Sequence, residues 1–145
     1  MSAMSDYLEN KLIDHVFRGQ SYTLPVLYVG LLTSAPSDAG GGTEVSGNAY
    51  ARVKAAAGAS QALTDWKSTQ NDSLASSGTT GNTTNTNAIT FPTPTATWGT
   101  VTHFGIYDAS TGGNLLFWGA LTISKTINQS DTVTFPSGTL SITFA

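Results

Sequence analysis

Cysteine is absent from the 145 residues, which excludes disulfides and thiolate metal sites and leaves the redox compartment unread. Charge is scarce as well. Lysine and arginine number 6 and aspartate and glutamate 9, for a formal net charge of −3, and charged residues make up 10% of the chain, against about a quarter in ordinary soluble domains. No polybasic cluster occurs, so the sequence-independent attraction to phosphate that supports nucleic-acid binding is missing and no nucleic-acid partner is expected. No apolar run approaches the roughly 20 residues that a membrane-spanning helix needs. Residues 1–12, MSAMSDYLENKL, carry acids early and no apolar stretch, so neither a membrane partner nor a secretory leader is expected. Serine, threonine, asparagine and glycine fill the polar positions. A surface hydrated by hydrogen bonding, with little charge repulsion, tolerates packing against neighbours, including copies of itself.

What is present reads as one domain, since the length is ample for one core and short for two. Residues 5–18 predict a helix. Leu8, Leu12 and Val16 recur at four-residue spacing with Ile13 and Phe17 beside them, while Glu9, Asn10, Lys11, Asp14 and Arg18 take the other side. Ser5 suits the N-cap and Gly19 the position just past the end. Asp6 and Glu9 near the start and Arg18 near the end agree with the helix dipole. After Gly19 the period becomes strand-like. Residues 26–32 (VLYVGLL) suit a strand buried on both faces, 48–54 (NAYARVK) a shorter one, and 37–47 a glycine-rich connection between them. Strands are expected again at 88–91, 101–107, 115–123, 132–135 and 140–144, separated by turns rich in Gly, Pro, Asn and Asp. The result is a mainly β, single-domain β-sandwich or jelly-roll-like barrel with one N-terminal α-helix. It divides into a helical arm at 1–19 and a sandwich at 20–145. Residues 55–86, rich in Ala, Ser, Thr and Asn, read as a long polar excursion pinned by Trp66.

Candidates for chemistry are few. His15 and His103 are the only histidines, short of the three or four ligands of a zinc site and without His-x-x-x-His spacing. Asp108 opens a hairpin turn, where its carboxylate can bond to backbone N–H groups. Asp38 and Glu44 flank Gly40, Gly41 and Gly42 without the acid spacing of a calcium loop. The glycine run lacks the Lys-Ser or Lys-Thr of a phosphate loop, and no serine sits in Gly-x-Ser-x-Gly. Neither catalysis nor a cofactor is expected. Trp98 and Trp118 lie in strand contexts typical of a core rim, whereas Trp66 stands in the polar excursion, as an interface tryptophan can. The helix stripe either packs on its own sheet or inserts into a neighbouring subunit, the link 22–25 giving reach for both. Leu8, Leu12, Val16 and Trp66 are therefore the candidate partner contacts.

The stretches SDYLENKLIDHVFRG, LYVGLLTSAPSDAGGGTEVSGNAYARV, AITFPTPTATWGTVTHFGIYDASTGGNLLFWGAL and DTVTFPSGTLSITF resemble short structural proteins of tailed bacteriophages commonly labelled tail fibre proteins. The resemblance spans nearly the whole chain except 55–86. It implies a virion protein, made in the host cytoplasm, with no catalytic residues to carry over. A chain without repeats or heptads is an awkward fibre shaft. The expectation is a capsid-decorating cement protein, a homotrimer bridging neighbouring subunits of the major capsid protein. A tail fibre or tail-attachment component bound to other tail proteins is the alternative, and a host-surface carbohydrate-binding module or hydrolase a third reading.

Overall fold

A computed structural model describes residues 2–144 and shows a mainly β chain with one helix. In chain order the elements are β1 (Ser2–Met4), α1 (Asp6–Phe17), β2 (Tyr28–Leu32), β3 (Val53–Lys54), β4 (Asn82–Thr84), β5 (Ile89–Thr90), β6 (Gly99–Tyr107), β7 (Leu115–Ile127), β8 (Thr134–Phe135) and β9 (Ser141–Thr143). β1, β7, β6, β2 and β3 lie in that order in one antiparallel sheet, and β4–β9 and β5–β8 form two short ladders. Among the described residues the sheets do not close on themselves, so the barrel part of the expectation is replaced by an open sheet with two ladders packed on it.

The core lies between them. Val29, Leu31, Val101, Phe104, Ile106 and Ile127 of the main sheet meet Ile89, Phe91, Leu140 and Ile142 of the ladder segments. Phe135 joins the two layers, its ring centroid 6.3 Å from both Phe91 and Phe104 in edge-on contacts. β2 is buried along residues 29–32, as its unbroken apolar run requires. Leu31, Leu32, Ile106 and Leu140 are all but removed from water, each contributing about 1.5–3 kcal/mol of burial energy.

The helix begins and ends where its caps place it. The Ser5 hydroxyl accepts the Leu8 N–H and donates to the Leu115 carbonyl at 2.5 Å, while the Ser5 N–H donates to Leu116 O at 2.9 Å. The helix start is thus tied to the first residues of β7. The Arg18 and Gln20 N–H groups close on Asp14 O, and Gly19 takes the left-handed φ of 67° that suits the exit from a helix.

Three departures from the sequence reading have local causes. Residues 2–4 form an edge strand, Ser2 opposite Gly119 and Met4 opposite Phe117, a pairing no local pattern reveals. The strand expected over 48–54 shrinks to β3, because Gly47, Asn48 and Ala49 all take positive φ (70°, 51° and 65°) and turn the chain. That turn aims the Asn48 carbonyl at Trp98 Nε1, 3.0 Å away. Residues 55–86 are folded on themselves by side chain-to-backbone bonds. Buried Asp65 accepts the N–H groups of Ala57 and Ala62 at 2.8 and 2.7 Å, Asp72 accepts the Ser68 hydroxyl, and the unexpected β4 pairs with β9.

β7 also carries a feature the sequence does not announce. Val101 faces Lys125 and His103 faces Ala120, so residues 121–124 stand opposite Thr102 alone. This large bulge leaves Ile123 in solvent at 80% exposure, and bulges re-aim side chains away from a ladder.

Candidate interaction surface

Glu44 at the end of the glycine-rich connection and Tyr50 and Arg52 just after it build one cluster. Arg52 donates through Nε to Glu44 Oε1 at 2.8 Å and through Nη2 to Oε2 at 2.7 Å, a two-pronged pair. The Tyr50 hydroxyl donates to the same Oε1 at 2.8 Å and accepts the Leu31 N–H at 2.9 Å. Arg52 Nη1 reaches across to the β6–β7 hairpin and donates to the carbonyls of Ala109 and Gly112 at 2.9 and 2.7 Å. Its guanidinium lies 3.4 Å from the Tyr107 ring centre. The Arg52 side chain is 8% exposed and Glu44 26%. Gly30 leaves room for all of this, since a Cβ there would lie 2.9 Å from both Glu44 Oε1 and Tyr107 Cε2.

The electrostatics follow from the geometry. Burial pushes the Tyr107 hydroxyl up to about 12, with the Glu44 carboxylate adding to the rise and Arg52 opposing it. Burial raises Tyr50 further, against the Leu31 N–H bond that favours its charged form. For Arg52, burial works to lower the pKa, yet the hydrogen bond and charge of Glu44 outweigh it and the group is raised. Asp108 completes the hairpin by accepting the Asn114 backbone N–H at 2.6 Å and side-chain amide at 2.8 Å, the turn role expected of it. The cluster therefore locks a connection, a sheet and a hairpin together and offers no unoccupied carboxylate.

The four candidate contact residues separate. Leu8 is 5% exposed and packs on the body, Leu12 is half-buried, and Val16 is 65% exposed. The stripe runs off the edge of the sheet. Ile13 at 50% and Phe17 at 80% exposure lie beside Val16 at the spacings that share a helix face. The last turns of α1 thus form an apolar tip. Trp66 lies apart from them. It is half-buried, packs against the core and bridges to Asn85, while Leu63, Leu74 and Phe144 near it are largely exposed. His15 is exposed with Nδ1 3.1 Å from Gln20 O, and His103 Nδ1 lies 2.8 Å from the Thr102 hydroxyl. Among the described residues no three His, Asp or Glu side chains converge as metal ligands would, and no helix is long and apolar enough to cross a membrane.

Two surface features were not foreseen. One is the β7 bulge. The other is a groove of about 540 Å³ beside it, walled by half-buried Leu121, Val133 and Phe135 and exposed Ile123 and rimmed by threonines of residues 132–143. Lys125 is the one charged residue lining it. The alternation of hydroxyl and apolar residues in DTVTFPSGTLSITF is the sequence signal that could have pointed there.

An apolar helix tip and a hydroxyl-rimmed groove are thus the surface features of this small open-sheet β domain. Residues 3–143 match the protein family described as Podophage GP4 fiber I protein gp80, and the chain belongs to that family. It is accordingly a phage virion component. A comparison with curated proteins returned no match. The family match favours the tail-fibre alternative over the capsid-decorating one.

Proposed function

We propose that this chain is a component of the tail-fibre apparatus of a short-tailed phage, holding other tail proteins by surface contact, with no bond made or broken. The observation that carries the reading is the family match over residues 3–143, nearly the whole folded unit. The chemistry of the acids supports the non-catalytic part, because Glu44, Asp65, Asp72 and Asp108 are each engaged in holding the chain's own backbone or its arginine. Self-association, expected as a homotrimer, belongs to the same proposal and is supported by the low charge and the exposed apolar tip of α1.

Particles made without this protein test it. Loss of host attachment, with heads as heat-resistant as before, is the expected result. Heads that burst on mild heating while attachment persists would return the protein to the capsid lattice. Release of reducing sugar from host polysaccharide by the purified chain would overturn the non-catalytic reading.

A further inference from the structure

The helix start is tied to Leu115 and Leu116, whereas the groove opens along residues 120–127. In this structure neither covers the other: Ile13, Val16 and Phe17 stay exposed and no helix residue lines the groove. Ile13, Val16 and Phe17 project from the helix with no neighbour to bury them. A large aromatic side chain alone carries about 150–250 Å² of surface, so the three together offer on the order of 300–400 Å² of apolar area. That is close to half of the roughly 800 Å² that each partner buries in a stable contact. The accessible wall of the groove is apolar at Leu121, Ile123, Val133 and Phe135, and its volume falls within the roughly 300–1,000 Å³ of pockets that bury most of a bound ligand's surface.

Charge fits too. Lys125 is the groove's single charge and takes part in no ion pair among the described residues. Asp14 flanks the apolar tip from the polar side of the helix, three residues before Phe17 and next to Ile13, its carboxylate 2.9 Å from the largely exposed Arg18. Exposed pairs of this kind are worth little, so Asp14 is free to exchange Arg18 for a lysine approaching from outside.

We infer that the apolar tip of α1 in one copy seats in the β7 groove of a second copy, with Asp14 against Lys125. The contact is head to tail, so it repeats from copy to copy and closes as a ring where the rotation permits. It rests on the reading that this protein works by contact between chains, and it stands whether the ring sits on tail or head.

The test uses the full chain and its mass in solution by light scattering. The wild type should assemble, and Phe17→Asp, at a position 80% exposed, should be a folded monomer with an unchanged unfolding temperature. Asp14→Lys and Lys125→Asp should each weaken assembly by about tenfold or more, and the double variant should restore it. A photo-crosslinking amino acid in place of Phe17 should link to the segment 120–127 or 132–143 of another copy. A monomeric wild type, Phe17→Asp assembling normally, no rescue by the charge swap, or cross-links elsewhere would each overturn the interface. None of these results bears on attachment by particles lacking the protein, so the two readings fail separately.

Discussion

Replacing Arg52 should be among the most damaging polar substitutions in this protein, and the structure gives its size. The side chain makes two hydrogen bonds to Glu44, two to carbonyls of the 108–114 hairpin and a close stack on Tyr107 while 8% exposed. Hydrogen bonds to charged groups contribute roughly 1.5–3 kcal/mol each when they cannot be replaced by water, but losses within one network overlap and do not add. Removing one partner of a buried pair typically costs about 3–5 kcal/mol. Glu44, more exposed than Arg52, can recover part of its hydration, which places Arg52→Met at the lower end, about 3 kcal/mol. Arg52→Lys keeps the charge but loses the fork and the reach to the hairpin, and should cost about 2 kcal/mol. Urea unfolding followed by tryptophan fluorescence measures this as a lower midpoint at unchanged slope. Glu44→Gln combined with Arg52→Met should be less destabilising than the sum of the two, by about 1 kcal/mol or more. Strict additivity, or a change below about 0.5 kcal/mol for Arg52→Met, would refute the view that these residues form one locking unit.

Other expectations follow from the same coordinates. Gly30→Ala places a Cβ 2.9 Å from Glu44 Oε1 and Tyr107 Cε2, and should cost about 1–3 kcal/mol by overpacking, read as a lower unfolding temperature. Asn85 is 1% exposed and its amide donates to Asn87 O and Pro136 O while its oxygen accepts the Leu140 N–H. Asn85→Ala leaves those groups unpaired and should cost about 2–4 kcal/mol, with faster amide exchange at Leu140. Tyr107 has a folded pKa raised to about 12 above the ordinary value of about 10. Its neutral form is favoured by the fold, so the associated stability is complete below pH 10 and is lost as pH climbs towards 12. Two units correspond to about 2–3 kcal/mol. Tyr107→Phe should flatten the alkaline fall in unfolding temperature, and an identical fall in the variant would remove Tyr107 as its source.

Much of the fold was legible because its signals are local. The Ser5 cap, the Leu8–Leu12 spacing and Gly19 each act on the turn they sit in, and the helix runs Asp6–Phe17 as they require. The alternation of Leu140 and Ile142 likewise marked the last strand. What escaped is non-local. β1 is three residues whose partners lie over a hundred positions away, and nothing in Ser-Ala-Met foretells that. The bulge at 121–124 is a matter of register, which depends on both strands at once. The Glu44–Arg52 pair joins the end of the glycine-rich connection to the segment after it. The missed signal was that a chain so poor in charge places an acid, a tyrosine and an arginine within nine residues. Of the candidate contacts, Val16 proved exposed and Leu8 structural, because the body is too short to cover the whole helix.

Gold-labelled antibody on intact particles, viewed by electron microscopy, tests the central claim most directly. The label should gather at the single tail vertex and fade when the tails are sheared away. Label scattered evenly over the head would contradict a fibre role.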